Sequence, residues 1–161
     1  MIKYRHLQLK GLQVSSHVFM RRRLGSIMEK LTVEATKENL MVVNEFVETN
    51  LEKIDCPMKA MMQINVAVEE IYINIASYAY GDGTGQAEIL LDTDTQGQVA
   101  VTFMDSGVPY DPLAKEDPDV TLSAEERGIG GLGIFMVKKS MDDVKYRYED
   151  GKNILTLIKK I

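Results

Sequence analysis

Apolar residues recur along this chain with two different periods, and the places where the period changes divide it into elements. Lys30 to Ala35 alternates and is β-branched, which predicts a short strand. Leu40, Val43, Val47 and Leu51 then fall three or four apart, predicting an amphipathic helix over 37–52 with Thr36 placed to cap it. Asp55-Cys56-Pro57 punctuates and restarts the chain, proline being tolerated in a first helical turn. Residues 58–79 read as the most hydrophobic helix, packed through Met61, Ile64, Val68, Ile71, Ile75 and Ala79, and Gly81-Asp82-Gly83-Thr84-Gly85 ends it.

Beyond that glycine cluster the period shortens to two. Ala87–Asp92 and Gln98–Met104 are β-rich runs joined by a polar connection ending in Gly97, as in an antiparallel hairpin. Residues 106–130 hold Pro109, Pro112, Pro118 and many acidic groups, follow neither period, and read as a loop or lid. Leu132–Ser140 reads as a helix, and Val144–Tyr148 and Ile154–Ile158 flank the hairpin signal Asp150-Gly151. The order β, α, α, β, β, loop, α, β, β predicts an α/β two-layer sandwich, a mixed and mainly antiparallel sheet covered on one face by helices.

At 161 residues the chain suits one domain with one core. It has no apolar run of the roughly 18 residues a membrane helix needs. Cys56 is the sole cysteine, which excludes an intramolecular disulfide and fits a reducing, cytoplasmic setting. His6 and His17 are the only histidines, so the chemistry falls to carboxylates, amides and backbone. Residues 1–28 carry six Lys/Arg and no acid, whereas 29–161 carry 13 basic against 24 acidic residues, which argues against nucleic acid as a direct partner. The basic start, with Arg21-Arg22-Arg23, is not a secretory signal. It reads as a solvated arm, an extension from an upstream start, or a contact for an anionic partner, the first two being favoured. The expected division is therefore a basic extension over 1–27 and a domain over 28–161.

Three short stretches carry candidate chemistry. At about 100° per residue, Glu70 and Asn74 lie only about 40° apart on the long helix and can face one pocket, away from the apolar stripe; Glu69 points about 100° elsewhere. The bland alternative is a solvated polar face. Asp105 ends a strand in Asp105-Ser106-Gly107, where a carboxyl can accept from a ligand amine or simply form an Asx-turn. Gly128, Gly130, Gly131 and Gly133 expose amide donors just before a helix, an arrangement suited to phosphate oxygens. It is neither a Walker loop, lacking the terminal Gly-Lys-Ser/Thr, nor a Rossmann turn.

Together these stretches resemble the GHKL, or Bergerat-fold, ATPases, and within them the anti-sigma-factor serine kinases of bacterial partner-switching pathways. The resemblance covers about residues 29–161. Val68 to Tyr80 is similar to the family's N box, Asp105-Ser106-Gly107-Val108-Pro109-Tyr110-Asp111-Pro112 to its first glycine box, and Arg127-Gly128-Ile129-Gly130-Gly131-Leu132-Gly133-Ile134 to its second. The resemblance implies Glu70 as general base, Asn74 as Mg²⁺ ligand, and Asp105 beside Gly107 as acceptor for the adenine amino group. It also implies the Gly128–Gly133 backbone, Leu132 included, as phosphate cradle, and Thr156 as an adenine-side hydroxyl. Tyr78 departs from the pattern, standing where many members have histidine.

The function so implied is an ATP-dependent protein serine/threonine kinase acting as an anti-sigma factor. Its ligands would be ATP and Mg²⁺. Its partners would be a STAS-type anti-anti-sigma protein, a sigma factor and a second copy in a homodimer, with no membrane partner. One alternative is a nucleotide-gated binding module without useful phosphotransfer. Another, a sensor histidine kinase, needs a phosphoacceptor histidine on a dimerising helix, and His6 and His17 have no long heptad around them.

Overall fold

The computed structural model describes residues 21–23, 26–114 and 132–161. In chain order the elements are β1 (Arg21–Arg23), β2 (Ser26–Glu34), a 3-10 turn (Lys37–Asn39), α1 (Leu40–Glu52), α2 (Met58–Tyr78), β3 (Gln86–Asp92), β4 (Gln98–Asp105), α3 (Leu132–Ser140), β5 (Asp143–Glu149) and β6 (Lys152–Lys160). The six strands form one sheet in the order β1-β2-β3-β4-β6-β5. Every pairing among the described residues is antiparallel, in line with the mainly antiparallel sheet expected.

Alternation along the strands decides which face meets the helices. Leu31, Val33, Ala87, Ile89, Leu91, Val99, Val101, Phe103, Leu155 and Leu157 point to one side and share a core with Val43, Val47 and Leu51 of α1 and Ile64, Val68 and Ile71 of α2. Each of these side chains except Ala87 contributes about 1.5–3 kcal/mol by leaving water. Met61 and Ile75 of the expected α2 stripe are only partly buried, while Tyr72 is fully buried. The Tyr72 hydroxyl donates toward the carbonyls of Glu34 (3.1 Å) and Thr36 (2.8 Å), tying α2 to the end of β2. Burial pushes its phenol up to about 12, so it remains a donor.

The other sheet face carries a charged cluster in which Glu88 bonds both Lys30 and Lys152. Burial alone would raise the Glu88 pKa, but the hydrogen bonds and charges of the two lysines outweigh it and the net direction is down.

Several boundaries differ from expectation for local reasons. The first long strand begins at Ser26, so the domain start near Met28 falls inside it, and Arg21–Arg23 pairs with Ser26–Met28 at the sheet edge. Residues 1–20 and 24–25 of the basic extension lie outside the described residues. Thr36 makes no side-chain cap; its carbonyl instead accepts from the Asn39 N–H (3.2 Å). The β5–β6 hairpin forms as the sequence indicates, with Asp150 and Gly151 at φ 52° and 75°, the left-handed pair of a type I′ turn. Of the expected loop over 106–130, residues 106–114 are described and 115–130 are not. Among the described residues no helix is long and apolar enough to cross a membrane.

Candidate functional site

The candidate residues gather along α2 and against its C-terminal end. Glu70 is exposed and Asn74 half-buried, about 6 Å apart along the axis. Neither side chain is hydrogen-bonded to another described residue. Gly133, in the first turn of α3, lies against Glu70, and a Cβ there would overlap the Glu70 carboxylate. Leu132 is 47% exposed. Gly128, Gly130 and Gly131 lie outside the described residues, so the expected phosphate cradle is represented here by Gly133 and the start of α3.

Five residues beyond Asn74, α2 meets the first glycine stretch. The Ala79 carbonyl accepts from the Val108 N–H (2.9 Å), and a Cβ on Gly107 would overlap the Ala79 backbone. A side chain at 107 would therefore push the Asp105 turn off the helix end. Asp105 is buried on the helix-facing side of β4. Its Oδ1 accepts from the Gly107 N–H (2.9 Å), the Asx-turn of the bland alternative. The same oxygen also accepts from Asn153 Nδ2 (2.8 Å), which a simple turn does not require. Among the described residues Asp105 Oδ2 accepts no hydrogen bond.

Tyr80 supports this turn from the other side. Its hydroxyl donates to the Gln86 carbonyl (2.7 Å) and accepts from the Ser106 N–H (2.9 Å). A cavity of about 250 Å³ lies beside it, lined by Tyr80, Gly85, Gln86, Glu88, Met104, Asp105, Ser106 and Lys152. Glu88 and Met104 point away from the helices, so this cavity belongs to the open sheet face and not to the Glu70 side.

Thr156 does not join the cluster. It is paired with Thr102 on the open face, where the two hydroxyls are 2.9 Å apart, whereas Asn153, Leu155 and Leu157 alternate onto the helix face. The β6 side chain that reaches Asp105 is Asn153. The local pattern does not announce it, because the apolar run of this strand begins one residue later, at Ile154. The available signal was a polar residue in phase with Leu155 and Leu157, a core-facing position that demands hydrogen-bond partners.

The Asp105 turn lies against the C-terminal end of α2, and the Glu70–Gly133 contact lies farther back along the same helix. Ala79 and Glu70 are about 13 Å apart along the helix axis. No group of three His, Cys, Asp or Glu residues is placed to hold a metal among the described residues. Asn74 offers one amide oxygen, which suits a Mg²⁺ bound mainly through phosphates and water.

Residues 33–159 match the histidine kinase-like ATPase domain family. The chain is 30% identical over 94 residues to the serine/threonine-protein kinase BtrW of Bordetella bronchiseptica, covering 58% of this chain and 66% of that protein. It is 31% identical over 104 residues to the serine-protein kinase RsbW of Listeria monocytogenes, covering 60% and 64%. The matched region thus spans just under two thirds of these relatives. The fold is similar to that of the crystal structure of the RsbU and RsbW domains of Rv1364c from Mycobacterium tuberculosis, with a TM-score of 0.53 at 17% identity, covering 81% of this chain and 32% of that one. With the family model matching most of the chain, and a sandwich of the same kind beneath it, the chain belongs to the histidine kinase-like ATPase domain family.

Proposed function

We propose that the chain is an ATP-dependent protein serine/threonine kinase that acts as an anti-sigma factor by phosphorylating a STAS-type anti-anti-sigma protein. The observation that carries this reading is the placement of Glu70: exposed, without a partner among the described residues, and against Gly133 at the start of α3. A base that must take a proton from another protein's hydroxyl needs that exposure. The serine-kinase names of the relatives support the same reaction class.

In this reading Asp105 accepts from the adenine amino group and Asn74 lends its amide oxygen to Mg²⁺. Bound Mg²⁺ would neutralise phosphate charge. Glu70 accepts the proton as the partner's hydroxyl oxygen bonds to the γ-phosphorus and ADP departs. Phosphoryl transfer depends mostly on positioning and charge neutralisation, so this small set of side chains is enough.

The test is incubation with radiolabelled ATP, alone and with a STAS-domain protein. Acid-stable label on a serine or threonine of the partner is the expected result. Label on a histidine of the chain itself would indicate histidine kinase chemistry, and ATP binding without transfer would favour the nucleotide-gated module.

A further inference from the structure

We propose that Asn153 is a positioning residue that fixes the Asp105 carboxyl for nucleobase recognition, so that preference for ATP over GTP depends on it. This rests on the reading of Asp105 as the adenine acceptor. Asn153 lies opposite Asp105 in the β4–β6 register, near the hairpin turn, and is 7% exposed. Its Nδ2 donates to Asp105 Oδ1 (2.8 Å) and to the Val108 carbonyl (3.0 Å). Its Oδ1 accepts from the Tyr146 hydroxyl (2.8 Å) and the Tyr110 N–H (3.1 Å). Two donors and two acceptor sites are all that a primary amide has, so Asn153 is saturated. The orientation is also determined. Exchanging its oxygen and nitrogen would set an oxygen against Asp105 Oδ1 and the Val108 carbonyl, and an NH₂ against the Tyr110 N–H.

The consequence falls on Asp105. Its Oδ1 is held by two donors, from Gly107 and Asn153, which leaves Oδ2 as the oxygen that can meet a ligand. With Gly107 alone the carboxyl could turn about its Cβ–Cγ bond. It would then present neither a fixed acceptor to the adenine amine nor a fixed repulsion to the guanine carbonyl. Tyr146 is the outer support: burial, and then the charge of Asp111, pushes its phenol up, so it stays a donor to Asn153 at neutral pH. Val108 and Tyr110 are the other two partners, so the same amide also sets the path of the chain leaving the Asp105 turn.

The experiment compares ATP and GTP affinity by calorimetry in the full chain and in Asn153→Leu, Tyr146→Phe and Asp105→Asn, with melting temperatures alongside. Asn153→Leu keeps the branching of the side chain, in a bulkier form, and removes the amide; ATP affinity is expected to fall about 5–20-fold and GTP affinity at most about twofold. Tyr146→Phe removes only a hydroxyl, should keep the fold, and is expected to lower the ATP preference about two- to threefold. A merely structural role predicts lower melting temperatures with an unchanged ATP/GTP ratio, and that result overturns the proposal. If Asn153→Leu does not fold, an unchanged ratio in Tyr146→Phe overturns it equally. Asp105→Asn separates the two failures. An unchanged ratio there defeats the adenine-acceptor reading itself, whereas a collapsed ratio there, with Asn153 and Tyr146 variants unaffected, defeats only the role of Asn153.

Discussion

Along one helix the candidate site changes character. Where the end of α2 meets the Asp105 turn, the polar groups are held: Asp105 by Gly107 and Asn153, Asn153 by four partners, and Tyr80 between Gln86 and Ser106. One to three turns earlier, Asn74 and Glu70 have no side-chain hydrogen bond among the described residues, and Glu70 is exposed beside Gly133. Burial accounts for the first condition at Asp105 and Asn153, because an unpaired polar group in the core costs on the order of 1–3 kcal/mol. Exposure permits the second, because water satisfies what the protein does not. Under the proposed function the difference assigns separate work to the two regions. A recognition end gains from geometry fixed before the ligand arrives, while a base and a metal ligand must be open to what they act on.

Four predictions would break or sharpen this contrast. The largest effect is expected at the open end. Glu70→Ala should lose about 10²–10⁴-fold in phosphotransfer to a STAS-type partner while keeping ATP affinity; single-turnover assays beside calorimetry measure both, and a loss of ATP affinity would merge the two regions. Gly133→Ala should follow at about 10²-fold in transfer. Alanine is the better helix former, so melting temperature should hold or rise, yet its Cβ would displace the Glu70 carboxylate. Parent-like transfer would mean that the position of Glu70 against α3 is irrelevant.

At the held end, Asp105→Asn should remove most of an ATP-over-GTP preference of about 5–100-fold, since a guanine carbonyl facing a carboxyl sets two acceptors together at a cost of about 1–3 kcal/mol. The smallest effect lies on the open sheet face. Glu88 has a lowered folded pKa, so its contribution is present above the ordinary carboxyl value of 4.5 and is lost as pH falls through the lowered folded value. Glu88→Gln should therefore flatten the acid limb of melting temperature against pH while changing neutral stability by under about 1 kcal/mol, the side chains of Lys30 and Lys152 being 35% and 40% exposed. An unchanged acid limb would remove Glu88 from the account of acid stability.

The same contrast explains what could be read from the sequence. The placement of Glu70 and Asn74 on one helix was legible because the helix fixes their relation at four residues, and Leu132–Ser140 and the Asp150-Gly151 hairpin because glycine and period are local signals. The held end depends on register. Asn153 meets Asp105 across 48 residues, through a strand pairing that no local pattern announces. Thr156 shows the same limit from the other side: an odd shift in position along a strand reverses the face, so a hydroxyl three residues from Asn153 points to the open side with Thr102. The edge strand Arg21–Arg23 gave no sign of itself because three arginines carry no alternation.

The most direct test of the division is a double-variant cycle on Glu70→Ala and Asp105→Asn, reading the single-turnover transfer rate at saturating ATP and the nucleotide affinity of each form. If recognition and base chemistry are separate, Glu70→Ala changes only the rate and Asp105→Asn chiefly the affinity. The double variant should then show the two free-energy losses added to within about 0.5 kcal/mol. Parent-rate transfer in Glu70→Ala, or a strongly non-additive double variant, would contradict the account.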